Sequence, residues 1–321
     1  MNSTTCKPAC AKYADSVTSN PGIGYLNETL PFMQRRTFLQ WSGASGAGLP
    51  LLGACWAQAQ TAERLQIGLT AVILADQAAF LSRWGDYLTA RIGRPVAFVV
   101  RESYQSILDL LFAGQINAAW ICGYPYVRHQ AQLKLLAVPL YQKAPTYQSY
   151  LIRHRQGASA INGWPDLAKR VLAYSDPLSN SGWLVPQAQL RLVGLSQQDL
   201  RASFFAHSHR NVAQAVSTRL ADAGCIDGYV WETMRLQQMA AIANTEVIWK
   251  SEFYGFPPIV IRADDASQPS HRLGEVLRAM QADTRGQALL RALNLDGFSM
   301  AAPALFDSID KLAGSVGVQS R

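Results

Sequence analysis

The stretch from Ala173 to Pro186 constrains the fold more than any other part of the chain. It begins at the last residue of an apolar run, residues 171–173, which is typical of a short buried strand. Asp176-Pro177 ends that run, because a proline keeps the residue before it out of the helical region. Three capping-type residues at 179–181 then precede apolar positions with helical spacing. The pattern predicts a strand that enters a hydroxyl-rich turn and opens a helix.

A strand-to-helix turn of this kind presents free backbone N–H groups at the positive end of the helix dipole. Ser179 and Ser181 add hydroxyl donors, and Asn180 adds a side-chain amide. Together these groups predict an anion-binding site. The same local pattern also fits an ordinary helix cap without a ligand, so the rest of the chain has to decide between the two interpretations.

The chain from about residue 64 onward alternates strand and helix patterns, which is typical of α/β proteins. Strands are predicted at residues 65–70, 96–100, 118–122, 135–141, 148–153, 171–173, 203–205, 228–230 and 246–249. Two C-terminal helices are predicted at residues 271–280 and 284–293. Periodicity alone establishes only repeated α/β units.

The motif Tyr-Ser-Asp-Pro-x-Ser-x-Ser-Gly-x-Leu-Val-Pro at residues 174–186 resembles the signature loop of the periplasmic phosphonate-, phosphite- and phosphate-binding proteins that serve ABC importers. The resemblance extends over roughly residues 64–300 and includes Ala118–Tyr126, the Ser208-His209 turn and Gly228–Glu232. It implies the type II periplasmic binding protein fold, in which two α/β lobes are joined by two crossing strands around a ligand cleft.

On that architecture, residues 60–155 would form the first part of lobe 1 and residues 156–252 would form lobe 2. Residues 253–321 would hold the return crossing and the C-terminal part of lobe 1. The small, polar segment Gly157–Gly163 is the predicted first crossing, and Phe253–Ile261, which contains a Pro-Pro pair, is the predicted return.

The resemblance also implies which side chains face the cleft. Tyr104 follows the second predicted strand, where the family has a ligand-facing tyrosine. Tyr124 and Tyr126 follow a buried strand, where relatives place an aromatic group; we choose Tyr124, although the order Cys-Gly-Tyr-Pro-Tyr leaves open which of the two faces the ligand. His209 matches a family histidine that reaches an oxyanion oxygen. A packing or surface role is the alternative for each of these residues.

Glu232 lies where relatives carry an acidic or amide residue in the cleft. A carboxylate accepts a hydrogen bond from a P–O–H group or a ligand ammonium, whereas it repels a fully deprotonated oxyanion such as sulfate. Glu232 would then select protonated ligands. The alternative is a glutamate near a helix start, favoured there by the helix dipole.

The N-terminal 59 residues are predicted to be an extension and an export signal. Met33 is the expected true start, and Arg35-Arg36-x-Phe38-Leu39 resembles a twin-arginine signal. The apolar stretch that follows is too short and too polar for a permanent membrane span. Two processing routes stay open: cleavage after Ala57-Gln58-Ala59, or lipid attachment at Cys55.

Removal of residues 1–59 leaves 25 basic and 20 acidic side chains, a net charge of +5. That mild, scattered positive charge suits a small anion and argues against nucleic acid. Cys122 and Cys225 remain, each in an apolar context that predicts a buried free thiol. We predict no metal site and no cofactor, since neither a His/Cys ligand spacing nor a glycine-rich phosphate loop is visible.

The sequence therefore predicts a periplasmic protein, not an enzyme, that captures a small phosphorus oxyanion for an ABC importer permease. Ser179, Asn180 and Ser181 would hold the oxygens. An alternative is a periplasmic sensor that presents its bound anion to a membrane kinase or regulator. A third hypothesis, a hydrolase on the same fold, lacks a nucleophile-elbow or paired-acid pattern.

Overall fold

The computed structural model describes residues 64–70, 78–156 and 161–317. Within them the strands are β1 (Leu65–Thr70), β2 (Val96–Arg101), β3 (Ala118–Trp120), β4 (Leu133–Leu140), β5 (Thr146–His154), β6 (Val171–Tyr174), β7 (Ala202–Phe205), β8 (Ala223–Asp227), β9 (Thr245–Gly255), β10 (Ile259–Arg262) and β11 (Gly297–Ser299). The α-helices are α1 (Ala78–Ile92), α2 (Tyr104–Phe112), α3 (Gly123–Arg128), α4 (Val185–Leu192), α5 (His209–Ser217), α6 (Gly228–Leu236), α7 (Gln268–Ala279), α8 (Thr284–Ala292) and α9 (Asp307–Ser315).

The strands form two mixed sheets. The first has the order β11-β4-β10-β3-β1-β2, with β1 parallel to β2 and β3, and β10 antiparallel to β3 and β4. The second has the order β7-β6-β8-β5-β9, with β6 parallel to β7 and β8. Parallel pairs need crossover helices, and these cover the faces of each sheet. The prediction of an α/β fold with two lobes is confirmed.

The centre of the first sheet is fixed by aromatic packing. All three residues of β3 are buried, and Trp120 packs edge-on against Trp84 of α1 and Phe298 of β11. The indole N–H of Trp120 donates a 2.8 Å hydrogen bond to the carbonyl oxygen of Pro257. These contacts hold the end of β3, and the segment that enters α3, next to the return crossing.

The first crossing differs from the prediction. The chain leaves the first sheet after Leu140 and turns tightly at Gln142 and Lys143, both of which have positive φ angles. It enters the second sheet as β5, which pairs antiparallel with β8 and β9. The chain therefore passes from the first sheet to the second at residues 141–145, whereas the sequence placed the crossing at Gly157–Gly163 and the lobe boundary at residue 155. A strand pattern locates β5 but cannot say which sheet it joins, because sheet membership depends on distant partners.

The return crossing falls inside the predicted stretch Phe253–Ile261. β9 ends at Gly255 and β10 begins at Ile259, with the Pro257-Pro258 pair between them. The two predicted C-terminal helices are confirmed as α7 and α8, while the last helix, α9, was not predicted.

The predicted strand at Gly228–Val230 is wrong. The strand is β8, which ends at Asp227, and residues 228–236 form α6. The Asp227 carboxylate accepts hydrogen bonds from the backbone N–H groups of Tyr229, at 2.8 Å, and Val230, at 3.4 Å. An aspartate in this position is a strong N-cap, so it fixes the helix start where apolar content alone suggested a strand.

The export predictions at Met33, Arg35, Arg36, Cys55 and Ala57–Ala59 lie outside the described residues. Among the residues that are described, no helix is long and apolar enough to cross a membrane. Cys122 and Cys225 are free and buried, as predicted.

Candidate functional site

The residues after β6 form a π-helical turn, Asn180–Leu184, that continues directly into α4. The hydroxyl oxygen of Ser179 caps the turn by accepting a 2.9 Å hydrogen bond from the Gly182 N–H. The predicted strand, turn and helix are therefore present. The π geometry was not predicted; such turns often occur at functional sites.

Gly182 is required by close packing within this turn. A Cβ atom on Gly182 would lie 1.9 Å from the Ser175 hydroxyl oxygen and 2.7 Å from its Cβ. These separations are far below contact distance, so any side chain would push the turn away from the end of β6. The glycine thus keeps the signature turn folded back against the strand that precedes it.

The three polar side chains of the signature are buried. The Asn180 side-chain amide donates a 3.1 Å hydrogen bond to the Tyr147 hydroxyl, whereas its Oδ1 atom has no hydrogen-bond partner. The Ser181 Oγ atom lies near the same tyrosine hydroxyl but also makes no hydrogen bond of good geometry. Buried polar groups are normally satisfied, so these two atoms mark the turn as a place where another polar group can bind.

A small cavity lies between residues of the two lobes. Its walls come from the end of β1, the start of α2, the end of β3, the β8–α6 junction and the return crossing. The lining residues are Thr70, Tyr104, Trp120, Ile121, Asp227, Tyr229, Phe256 and Pro257. Tyr104, one of the candidate residues, is thus among those that line this cavity. No lysine or arginine is among these lining residues.

Two aspartates near the cavity were not predicted as site residues. Burial raises the pKa of Asp227 to about 7 and raises the pKa of Asp176 above its usual value. The Asp176 carboxylate accepts hydrogen bonds from the backbone N–H groups of Leu178, at 2.7 Å, and Tyr104, at 3.3 Å. The second of these bonds joins the signature loop of lobe 2 to the first residue of α2 in lobe 1.

His209 is the first residue of α5 and is almost fully buried. Its Nδ1 atom accepts a 3.2 Å hydrogen bond from the backbone N–H of Asp227. Burial lowers the pKa of His209 to about 3. The imidazole is consequently neutral, and its proton is on Nε2. The neighbouring His207 is exposed, so the structure buries the histidine that the sequence favoured.

Glu232 does not line the cavity. One oxygen of its carboxylate accepts a 3.3 Å hydrogen bond from the Tyr150 hydroxyl, and the other accepts a 2.8 Å hydrogen bond from Nε of Arg235, one turn further along α6. Both oxygens therefore already have protein partners. The acid that does line the cavity is Asp227, five residues earlier. The signal for Asp227 was present, since it ends an apolar run just before a glycine.

The two tyrosines of α3 have other surroundings. The guanidinium carbon of Arg128 lies 5.9 Å from the ring centroid of Tyr124, and the Tyr126 ring packs on Phe306 at 4.8 Å. Neither lines the cavity. The tyrosine that meets the signature turn is Tyr147 of β5, which no local motif distinguished from the other tyrosines.

Solved structures share this architecture. A binding protein component of an ABC phosphonate transporter from Pseudomonas aeruginosa superposes with a TM-score of 0.71 at 19% identity, covering 79% of this chain and 86% of that one. PhnD1 from Prochlorococcus marinus, solved in complex with methylphosphonate, superposes with a TM-score of 0.69 at 17% identity, covering 79% of this chain and 98% of that one. At these identities the likeness establishes the fold: the chain has the two-lobed fold of periplasmic binding proteins.

Residues 69–306 match the family described as "ABC transporter, phosphonate, periplasmic substrate-binding protein". The match spans well over half of the chain, and the chain belongs to this family. A curated relative, the phosphate-import protein PhnD of Mycolicibacterium smegmatis, is 28% identical over 275 residues, which are 80% of this chain and 81% of the relative.

Proposed function

We propose that the protein captures a small phosphorus oxyanion (a phosphonate, phosphite or phosphate) outside the cytoplasm and delivers it to an ABC importer. The observation that carries the proposal is the buried Ser181 hydroxyl, whose oxygen has no hydrogen-bond partner at the π-helical turn. A buried polar group left unsatisfied costs roughly 1–3 kcal/mol. An oxyanion oxygen that accepts a hydrogen bond from this hydroxyl removes that cost.

The donors proposed for the anion are all uncharged. Ser179, Ser181 and the amide of Asn180 come from the signature turn, and the Tyr104 and Tyr147 hydroxyls come from opposite lobes. The Nε2–H of neutral His209 adds a further donor. Hydrogen bonds to a charged oxygen are about twice as strong as neutral ones. They are stronger still in the protein interior, where the dielectric constant is lower than in water. Such a shell binds an anion without a buried cation.

Asp227 is the proposed selectivity group. A carboxyl group with a pKa near 7 shares one proton with its ligand: it accepts from a P–O–H group when ionised, or donates to an oxyanion oxygen when protonated. A phosphorus oxyanion brings that proton at neutral pH, whereas sulfate does not. Asp227 thus takes the role that the sequence suggested for Glu232, since Asp227 lines the cavity and Glu232 does not.

We assign one lobe to each of the two sheets, and propose that these lobes close over the ligand. Lobe 1 would consist of the chain up to residue 140 together with residues 259–317, and lobe 2 of residues 146–255. The hydrogen bond from the Tyr104 N–H to Asp176 crosses the cleft, and it forms when the lobes are together. The protein would dock on its permease in this closed form. The sensor alternative has no observation of its own in its favour.

Export is proposed to use the Arg35-Arg36 signal, which the twin-arginine machinery reads on folded cargo. Cleavage after Ala59 would release a soluble binding protein. Lipid attachment at Cys55 would keep the same protein at the membrane surface.

The test is a calorimetric titration of the purified protein with inorganic phosphate, phosphite, methylphosphonate and sulfate at one ionic strength. We expect at least one phosphorus oxyanion to bind with a large preference over sulfate. Binding of sulfate as tightly as every phosphorus ligand, or no binding of any of the four, would contradict the proposal. Turnover of a phosphonate ester by the same preparation would point to the enzyme hypothesis instead.

A further inference from the structure

Cys122 contacts the signature turn from the opposite lobe. It lies between β3 and α3 in lobe 1, and its sulfur accepts a 3.2 Å hydrogen bond from the backbone N–H of Asn180 in lobe 2. The same sulfur lies 4.0 Å from the hydroxyl oxygen of Tyr147. The three groups that meet here thus come from the β3–α3 connection, from β5 and from the residues after β6.

The Asn180 N–H needs this sulfur because it is buried. Asn180 has no exposed surface, and Cys122 has almost none. A buried backbone N–H without an acceptor is rarely tolerated. Within the described residues, the sulfur is the partner recorded for this group. Separation of the lobes would let water replace the sulfur as acceptor, and because a thiol sulfur is only a weak acceptor this exchange would cost little.

Two unpartnered polar atoms lie on the residues next to this contact, where a ligand could bind. Asn180, whose backbone N–H donates to Cys122, also has a buried side-chain oxygen, Oδ1, without a hydrogen-bond partner. The hydroxyl oxygen of the next residue, Ser181, is likewise buried and unpartnered. The sulfur therefore anchors the backbone at the point where the turn still has unsatisfied polar atoms.

We propose that Cys122 is a positioning residue for the anion site: its sulfur holds the Asn180 N–H when the lobes are together, and this fixes the signature turn around the ligand. The inference rests on the proposed function for the identity of the ligand. It also has a consequence that needs no ligand, because cleft opening exposes the thiol while the rest of the protein stays folded.

Substitutions test the positioning role. Cys122→Ala removes the acceptor and leaves the Asn180 N–H unsatisfied, so affinity for inorganic phosphate and methylphosphonate should fall about tenfold. Cys122→Ser restores an acceptor and should recover most of that affinity. Cys225→Ala, the matched control, removes the other buried thiol, which lies in β8, and should bind as the unaltered protein does. Wild-type affinity in Cys122→Ala, or equal loss in the alanine and serine variants, would overturn the inference.

Thiol labelling gives an independent measurement. The full-length protein is treated with iodoacetamide, and each cysteine is followed separately by peptide mass spectrometry. In the ligand-free protein, Cys122 should be labelled at least about tenfold faster than Cys225, because lobe opening needs less free energy than exposure of the strand β8. Millimolar phosphate or methylphosphonate should slow labelling at Cys122 alone. Equal, slow labelling of both thiols without ligand would overturn the inference.

The binding measurements and the thiol labelling distinguish a failure of this inference from a failure of the proposed function. If the unaltered protein binds no phosphorus oxyanion, the proposed function fails, and the labelling of the ligand-free protein then decides the inference: faster labelling of Cys122 supports it, and equal rates overturn it. If the oxyanions bind but leave the labelling of Cys122 unchanged, the proposed function stands and the inference fails.

Discussion

The Nδ1 atom of His209 accepts a hydrogen bond from the backbone N–H of Asp227, 3.2 Å away. This contact ties the start of α5 to the end of β8 and fixes the tautomer of the imidazole. Since Nδ1 is the acceptor, a neutral ring carries its proton on Nε2. The proposed donor His209 is therefore uncharged, and it contacts the backbone of Asp227, whose carboxyl pKa burial raises to about 7.

The first prediction concerns the effect of the buried His209 on stability in acid. Burial lowers the pKa of His209 from 6.5 to about 3, so between these values the unfolded chain binds a proton that the folded protein does not. The contribution of this group to the free energy of unfolding is complete above about pH 6.5 and is lost as the pH falls toward 3. His209→Asn keeps an acceptor for the Asp227 N–H and does not titrate, so its stability should fall less steeply over this range.

The measurement is the free energy of unfolding in urea from pH 3 to 8 for the unaltered protein and His209→Asn. His207→Asn is the matched control, because His207 is exposed on the same turn and has a positive φ angle that asparagine tolerates. An equal pH slope in all three proteins would show that protonation of His209 does not limit acid stability.

Local patterns in the sequence located the signature turn because all of its determinants are close together in the chain. The strand at 171–173, the proline at 177 and the capping residues 179–181 each act on their neighbours, and the structure contains the strand, the turn and the helix. The family resemblance singled out Tyr104, which opens a helix after a predicted strand and lines the cavity in the structure.

The other residues proposed for the site could not be found in this way because their positions depend on distant pairings. Tyr147 reaches Asn180 only because β5 joins the second sheet, through partners in β8 and β9. Asp227 was overlooked because the strand was predicted three to five residues too late, which placed Glu232 near the start of the helix instead of on its second turn. One error in the position of β8 thus moved the acidic candidate from one side chain to another.

A second prediction concerns the unpartnered hydroxyl in the signature turn. Ser181→Ala removes one donor to a charged oxygen, a loss of roughly 1.5–3 kcal/mol, so affinity for the best phosphorus ligand should fall about tenfold to a hundredfold. The ligand-free protein should be at least as stable as before, because the hydroxyl makes no hydrogen bond within it and its removal leaves no buried polar group unsatisfied. Calorimetry and thermal unfolding measure the two effects. Ser217→Ala, at a buried serine of α5, is the control, and an unaltered affinity in Ser181→Ala would place the anion elsewhere.

A third prediction concerns export. Replacement of both Arg35 and Arg36 by lysine should leave the precursor in the cytoplasm, since the proposed twin-arginine signal is read through its arginine pair. Cell fractionation measures the distribution. A chain that starts at Met33 should be exported normally if the first 32 residues are dispensable. Periplasmic delivery of the double-lysine variant would show that the route for unfolded chains is used.

The last prediction compares the two acidic residues. Asp227→Asn keeps a good N-cap for α6 but no longer shares a proton as a carboxyl group does. Sulfate should bind better to this variant at pH 8, because repulsion from an ionised carboxylate is gone, and the protonated phosphorus ligand should bind less well. The affinity ratio should therefore narrow by an order of magnitude or more, at about 1.4 kcal/mol per factor of ten. Glu232→Gln, the matched control, should leave that ratio unchanged, since its carboxylate is bound by Tyr150 and Arg235.

The pH dependence of sulfate binding distinguishes proton sharing from simple charge removal. Sulfate brings no proton at neutral pH, so it needs the protonated form of Asp227. Because burial raises the pKa of Asp227 to about 7, that form becomes scarce above this pH, and sulfate affinity should fall up to about tenfold per pH unit there. In Asp227→Asn this dependence should disappear. Titrations from pH 6 to 9 measure it in both proteins. If Glu232→Gln instead abolishes the pH dependence while Asp227→Asn retains it, the selecting carboxylate is Glu232, as the sequence first suggested, and the lobes must rearrange around the ligand to bring it there.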